Sequence, residues 1–233
     1  MDAGTRMLVQ MSGARRFNRW MADTISPYIA GTVFEAGAGI GNLTEFLFHP
    51  GSPYIAAELE DENLALLRER FGSNDGLIIA KCDLMQARDL EAFRGRVDTV
   101  VCLNVLEHIQ DDVLALQNLR VCLRCGGRAV ILVPHGASAY GSLDRVLGHF
   151  RRYSSQQLEI ALQRAGFHVE RMIKFNRATY PGWIFNSRLL KRKALSGTQL
   201  ALFDLLVPFW RRIDRFLPWP PTSLIAIAST EGC

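Results

Sequence analysis

The chain has 233 residues, 48% of them apolar and 21% charged, with a formal net charge of +4. That length suits one α/β domain with an insertion, the apolar content excludes disorder, and the charge is too mild to indicate a nucleic-acid partner by itself. The cysteines (Cys82, Cys102, Cys122, Cys125 and Cys233) are odd in number and scattered, unlike a disulfide framework.

Cys122 and Cys125 form a lone C-x-x-C without the second pair or nearby histidines that a zinc or redox site needs. They read as two small apolar residues at a helix end. The N-terminus lacks the apolar core of a signal peptide, and no stretch reaches the roughly 18 apolar residues of a membrane span. A cytoplasmic protein is expected.

Residues 6–30 read as a helical leader in which Arg15, Arg16 and Arg19 interleave with Phe17 and Trp20, and Pro27 disturbs its end. A strand follows over 32–36, closed by glycines, then a helix over 42–48. A strand over 54–57 precedes a helix over 61–71, with Leu64, Leu67 and Phe71 at helical spacing. Strands are expected over 76–80 and 97–103. The second, VDTVVCL, is a continuous apolar run of the kind buried on both faces of a parallel sheet. A helix over 111–123, the Gly126–Gly127 punctuation and a strand over 128–133, ended by Pro134, complete the regular part.

Beyond it come a helix over 154–165, with Ser154 as N-cap and Gly166 as stop, and a strand over 167–175. Residues 176–221 are aromatic and basic, and 222–229 reads as the last strand. Strand and helix alternate every 20–25 residues or so, the rhythm of βαβ units. The expected fold is a doubly wound α/β domain, with a mostly parallel sheet and helices on both faces. Its parts are a leader (1–30), a core (31–175), an insertion (176–221) and a final strand (222–233). Ligands in such sheets sit beyond the carboxyl ends of the strands, here just after Ala36, Ala57, Leu103 and Val133.

The strongest motif is Glu35-Ala36-Gly37-Ala38-Gly39-Ile40-Gly41-Asn42, placed between a strand and a helix. Its glycines let the backbone turn tightly and approach a ligand. The spacing is G-x-G-x-G. Asn42 stands where a dinucleotide fingerprint has its last glycine, which leans away from NAD. Glu58, ending the second strand, can accept from the hydroxyls of a ribose. Asp83, after the third strand, can accept from an adenine amino group.

VFEAGAGIGNLTEFL, AAELEDENLALL, AKCDLM, VDTVVCLNVLEHI and LRCGGRAVILVP resemble the successive motifs of class I S-adenosylmethionine-dependent methyltransferases. The likeness spans roughly residues 15–170 and is greatest to the ubiquinone-biosynthesis-type small-molecule enzymes, whose fourth strand similarly ends in Leu-Glu-His. It implies a seven-stranded Rossmann-like sheet with S-adenosylmethionine as cofactor. Gly37, Ala38, Gly39, Gly41 and Asn42 would line the methionine part, and Glu35 would help to hold its amino-acid end. Glu58 and Leu59 would lie at the ribose, Asp83 and Leu84 near the adenine, and Asn104 and Val105 near the sulfonium. Comparable leaders fold over the cofactor, so Phe17 can meet its cationic end, or can simply pack the leader with Trp20. Cys125 departs from the proline often found there, without consequence for chemistry.

The implied reaction is methyl transfer to a small molecule, at a hydroxyl or carboxylate oxygen. Methylation at nitrogen is the alternative, and a cofactor-binding protein without turnover is the different class. A hydroxyl acceptor needs a base. Candidates are His108, which also reads as a packing histidine, and His149 and Tyr153 in the stretch 140–153 that would cover the site. Similar D-x-x-x-G-H-x-R-R-Y stretches occur in a branch of these enzymes. His149 is expected to face the acceptor. Arg151 or Arg152 would steady an anionic substrate, and His135 and Tyr140 complete the acceptor side. The alternative for this stretch is a helix start with solvated arginines. No metal is expected, because no paired carboxylates or His/Asp cluster stand out.

In 176–221, Arg177, Arg188, Lys191, Arg192, Lys193, Arg211, Arg212 and Arg215 outweigh Asp204 and Asp214. The segment reads as a helical lid over the site. It also reads as an amphipathic face for peripheral contact with anionic lipid, serving a lipid-like acceptor. No RNA-binding motif accompanies the charge, and no nucleic-acid partner is expected.

Overall fold

The structure, a computed structural model, describes residues 1–194 and 196–230. The leader forms two helices, α1 (Ala3–Ser12) and α2 (Arg15–Ile25), broken at Gly13–Ala14. Then follow β1 (Val33–Ala36), α3 (Thr44–Leu47), β2 (Tyr54–Glu58), α4 (Asp61–Phe71), β3 (Leu77–Lys81), α5 (Ala87–Leu90) and β4 (Val97–Leu103). Next come α6 (Asp112–Cys122), β5 (Leu123–Pro134), α7 (Ser142–Val146), α8 (Ser155–Arg164) and β6 (Phe167–Phe175). The rest comprises α9 (Tyr180–Trp183), continued by a π-helical stretch (Ile184–Leu189), then α10 (Gly197–Ile213) and β7 (Ser223–Thr230).

The seven strands lie in the order β3-β2-β1-β4-β5-β7-β6. All neighbours are parallel except β7, which runs antiparallel to both β5 and β6. The long segment between β6 and β7 is what permits that reversal. Alternate residues of each strand feed different cores. Phe34, Val100, Cys102 and Ile131 pack with Leu116 and Leu119 of α6 and Leu158 and Leu162 of α8. Val33, Val101, Val130 and Ile227 pack with Trp20 and Ile25 of α2 and Val207 of α10. The apolar run of β4 thus serves both faces, as its composition requires.

Three boundaries differ from expectation. The helix expected over 42–48 shrinks to α3, because the preceding glycine turn continues to Leu43. β5 begins at Leu123, which pairs with Val97 before the register shifts. Gly126, at φ +71°, therefore sits in an irregular stretch of the strand rather than ahead of it. Cys122 ends α6 as a buried free thiol, whereas Cys125 belongs to β5. The final strand is seen to Thr230; residues 231–233, with Cys233, lie outside the described residues. Among the described residues no helix is long and apolar enough to cross a membrane.

Candidate active site

The carboxyl ends of β1, β2, β3 and β4 open into a cavity of about 1740 Å³. Its cofactor-like end is built by the glycine turn. The N–H groups of Gly37 and Ala38 both donate to the Ala57 carbonyl, at 2.8 and 2.9 Å, tying the turn to the end of β2. Gly37 has φ +71°, and a Cβ there would come within 2.4 Å of the Val105 side chain. Only glycine serves at such a position.

Glu58 is gripped from several sides. Its Oε2 accepts from Gly39 N–H at 2.7 Å, and its Oε1 accepts from Leu59 and Glu60 N–H at 2.8 and 2.9 Å. A carboxylate has about four acceptor sites, so some capacity remains toward the cavity it lines. Asp83, held by the Met85 N–H at 2.9 Å, lines the same wall with Leu84.

Glu35 is nearly buried on β1. Its Oε2 accepts from the Thr44 hydroxyl at 2.5 Å and from the Tyr54 hydroxyl at 3.0 Å. Burial pushes its carboxyl up to about 7, against the pull of those two donors and with help from the Glu58 charge. Asn42 faces the cavity and donates to the Leu8 carbonyl at 2.8 Å, which joins the turn to α1.

The other end begins where β4 stops. Asn104 adopts φ +56°, a left-handed conformation uncommon outside glycine and enriched at functional positions. Asn104 and Val105 line the cavity, and a short 3-10 turn, Leu106–His108, follows. The His108 ring is open on the cavity wall, yet protein crowds it elsewhere. That crowding and the neighbouring His149 hold it low, at about 4. The His108 and His149 rings meet edge to face, with centroids 4.6 Å apart.

The stretch 140–153 folds back on this turn through a buried network. His149 Nδ1 lies 3.0 Å from Asp144 Oδ1, and Arg152 Nε donates to the same oxygen at 2.7 Å. Asp144 Oδ2 accepts from Gly141 N–H at 2.8 Å. Burial alone would raise the Asp144 carboxyl, but His149, Arg152 and the Gly141 amide overcome it and hold it below the usual range. The Arg152 guanidinium also lies 4.4 Å from the centre of the Trp183 ring. Phe150 N–H donates to the Glu107 carbonyl at 2.8 Å, closing the stretch over β4.

Most of the expected residues meet at this cavity. Phe17, Leu59, His108, His149 and Arg152 line it together with those already described. Phe17 also packs against Trp20, Phe175 and Phe203, as the packing reading of it expects. Five residues turn away. Gly41 faces α4, where a Cβ would meet the Phe71 ring at 2.3 Å. Tyr153 is a core residue, 2% exposed, whose hydroxyl donates to Asp112 at 2.6 Å. Arg151, partly exposed, pairs with the same Asp112 at 2.8 Å and lies outside the cavity lining. Tyr140 donates its hydroxyl to the His149 carbonyl, and His135 binds the Tyr153 carbonyl through Nδ1.

The sequence reading missed two contributions. Glu107 sits between two residues it had singled out, but nothing local shows that its side chain turns inward. Met7, Leu8 and Met11 of α1 line the cavity too, beside Trp183, Gln199 and Phe203 of the late segment that reads as a lid.

Residues 34–129 match the family described as methyltransferase domain. A methyltransferase of Claviceps purpurea (strain 20.1) is 32% identical over 136 residues, which cover 58% of this chain and 38% of that protein. The match thus spans well under half of that relative's length. A S-adenosylmethionine-dependent methyltransferase of Archaeoglobus fulgidus superposes with a TM-score of 0.63 at 16% identity, over 93% of this chain and 94% of that one. The [4+2]-cyclase SpnF superposes with a TM-score of 0.64 at 15% identity, over 92% and 81%. The domain match covers residues 34–129, and the fold is that of the S-adenosylmethionine-dependent methyltransferase on which the chain superposes. Its likeness to a cyclase of the same fold leaves the reaction to be argued from the site.

Proposed function

We propose that the chain transfers a methyl group from S-adenosylmethionine to a small-molecule acceptor at oxygen, acting in the cytoplasm. The observation that carries this is the alignment of Glu35, Glu58 and Asp83 on successive strand ends, all facing one cavity with Asn104 at its middle. The residues present fit the cofactor. Glu58 is fixed by three amides with capacity left for a ribose hydroxyl, and Gly37 lets the backbone come close. When bound, the cofactor supplies a methyl group on a positively charged sulfonium.

The chain's own part is mainly positional. Holding acceptor and methyl donor in line can supply about 7–11 kcal/mol at best. His108 is neutral at pH 7, and His149 is oriented by Asp144, so either can take a hydroxyl proton for a further gain of about 10²–10⁴-fold. Oxygen is favoured because these two imidazoles stand on the acceptor side. Arg152 is committed to Asp144, so its place here is to position His149 and not to bind an anion. The test is calorimetric titration with S-adenosylhomocysteine, with NADH as control, followed by methyl transfer to a panel of phenols, carboxylates and amines. Binding of NADH in place of S-adenosylhomocysteine would sink the reading.

A specific observation favours a lipid-like acceptor. On α10, Leu202, Leu205, Leu206 and Phe209 are exposed along one face, while Phe203, Val207 and Trp210 pack inward. A helix apolar on two faces wants a second apolar phase. Exposed Phe216, beneath the Arg215 guanidinium, and Leu189 and Leu190, next to Lys191 and Arg192, continue that surface. On this reading the roof rests on an anionic bilayer. Sedimentation with vesicles containing phosphatidylserine, but not with neutral ones, is expected; no sedimentation with either would remove it.

A further inference from the structure

Glu107 is 0% exposed, and neither of its carboxylate oxygens has a hydrogen-bond partner on another residue. A buried carboxylate left this way is costly, and such a group calls for a missing partner. One ligand atom each of Glu107, His108 and His149 lies within 4.8 Å of the others. All three line the cavity beyond the end of β4. Each imidazole is also prepared. His149 directs Nδ1 to Asp144, and His108 bonds the Leu147 carbonyl, so each has a second ring nitrogen left over. A carboxylate or carbonyl on one ring nitrogen, fixing the other for an ion, is the usual support of a metal-binding histidine.

We propose that Glu107, His108 and His149 form a site for one divalent ion of the zinc type, with an open position toward the acceptor. Two imidazole nitrogens and one carboxylate oxygen suit zinc, cobalt or ferrous iron rather than magnesium, which prefers oxygen ligands. Ligands around one such ion stand about 3.4 Å apart in tetrahedral geometry. The present spacing, up to 4.8 Å, is wider, so the three side chains would draw together around the ion. Arg152 and Asp144 offset each other's charge beside the site, so that pair adds no net positive charge against a cation. With the ion bound neither histidine would act as base; the open position would instead take an oxygen of the acceptor and lower its pKa, which narrows the acceptor to oxygen ligands such as phenols, catechols or carboxylates. That last point rests on the methyl-transfer reading, whereas the binding of the ion does not.

The experiment is titration of tag-free, chelator-treated protein with Co²⁺, followed by visible absorption, with Zn²⁺ and Mg²⁺ as competitors. S-adenosylhomocysteine binding is measured on the same sample. One equivalent of Co²⁺ is expected, displaced by Zn²⁺ and not by Mg²⁺. His149→Ala and Glu107→Gln are each expected to weaken it by more than tenfold. His108→Ala, on the open wall where the fold is not at stake, should do the same. A folded protein that takes up no Co²⁺ would overturn the site, and so would a sulfur-to-cobalt charge-transfer band, which would put the ion on a cysteine. Loss of S-adenosylhomocysteine binding with Co²⁺ binding retained would instead strike the methyl-transfer reading and leave the metal site standing.

Discussion

The two ends of the cavity are made by different means. The cofactor-like end is mostly backbone, with turns at Gly37 and Gly39 and three amides converging on Glu58. The acceptor end is mostly side chains, with Asp144 joining His149 to Arg152, Arg152 beneath Trp183, and Glu107 and His108 beyond. Backbone geometry tolerates variation in neighbouring side chains, whereas a side-chain network depends on every member. The first end should therefore lose function locally when altered, and the second should lose stability.

The largest effect tests the second end. Asp144→Ala strips the buried Arg152 and His149 of their shared partner, at an expected cost of about 3–5 kcal/mol. The melting temperature should fall by roughly 6–20 °C. A loss under a few degrees, by calorimetry, would mean the network holds the loop by other contacts.

Glu58→Ala probes the first end. Charged hydrogen bonds to a ribose are worth about 3 kcal/mol at most, so S-adenosylhomocysteine should bind up to roughly 100-fold more weakly. The melting temperature should move far less than in the Asp144 variant. The reverse pattern would erase the distinction drawn above.

Glu35 sharpens it further through pH. Its folded value, about 7, lies above its ordinary 4.5, so the folded chain binds the proton more tightly than the unfolded one. The favourable contribution is complete below pH 4.5 and is lost as pH rises toward 7, by about 3 kcal/mol as an order of magnitude. Denaturation midpoints of wild type should fall relative to Glu35→Gln across that window and run parallel above it. Parallel curves throughout would show that the carboxyl titrates normally.

The smallest effect is at the roof. Asp204 accepts from the Phe17 N–H at 2.8 Å, in the first turn of α2. Asp204→Ala should cost about 1 kcal/mol of stability, as loss of a helix cap does. It should also loosen S-adenosylhomocysteine binding modestly, because α2 carries Phe17.

The same division decides what the sequence disclosed. The glycine turn, Glu58 and Asp83 were legible because each sits at a strand end whose position follows from the βαβ rhythm. The sheet was legible too, through apolar runs such as 97–103. The stretch 140–153 was not. Its residue types said that something polar happens there, but not which way each side chain points. Tyr153 and Arg151 share Asp112 on α6 and lie outside the cavity lining, whereas His149 turns to the cavity. Such directions depend on partners far along the chain, here on α6, and no local pattern encodes them. Glu107 was hidden for the same reason, and α1 because its cavity-facing residues need α2 and the glycine turn to reveal that face.

The hydrogen bond from Phe17 to Asp204 has a consequence for how the molecule is made. The leader is synthesised well before Asp204, the residue that caps α2. At usual rates of about 5–20 residues per second, that interval is roughly 10–40 s. Until it ends, Phe17 lacks both Asp204 and the Phe203 ring it packs against. A nascent chain halted before α10 can lay down β1 to β5 but can neither seat β6, which pairs only with the later β7, nor close the roof, so the cavity is finished only after α10 and β7 are made.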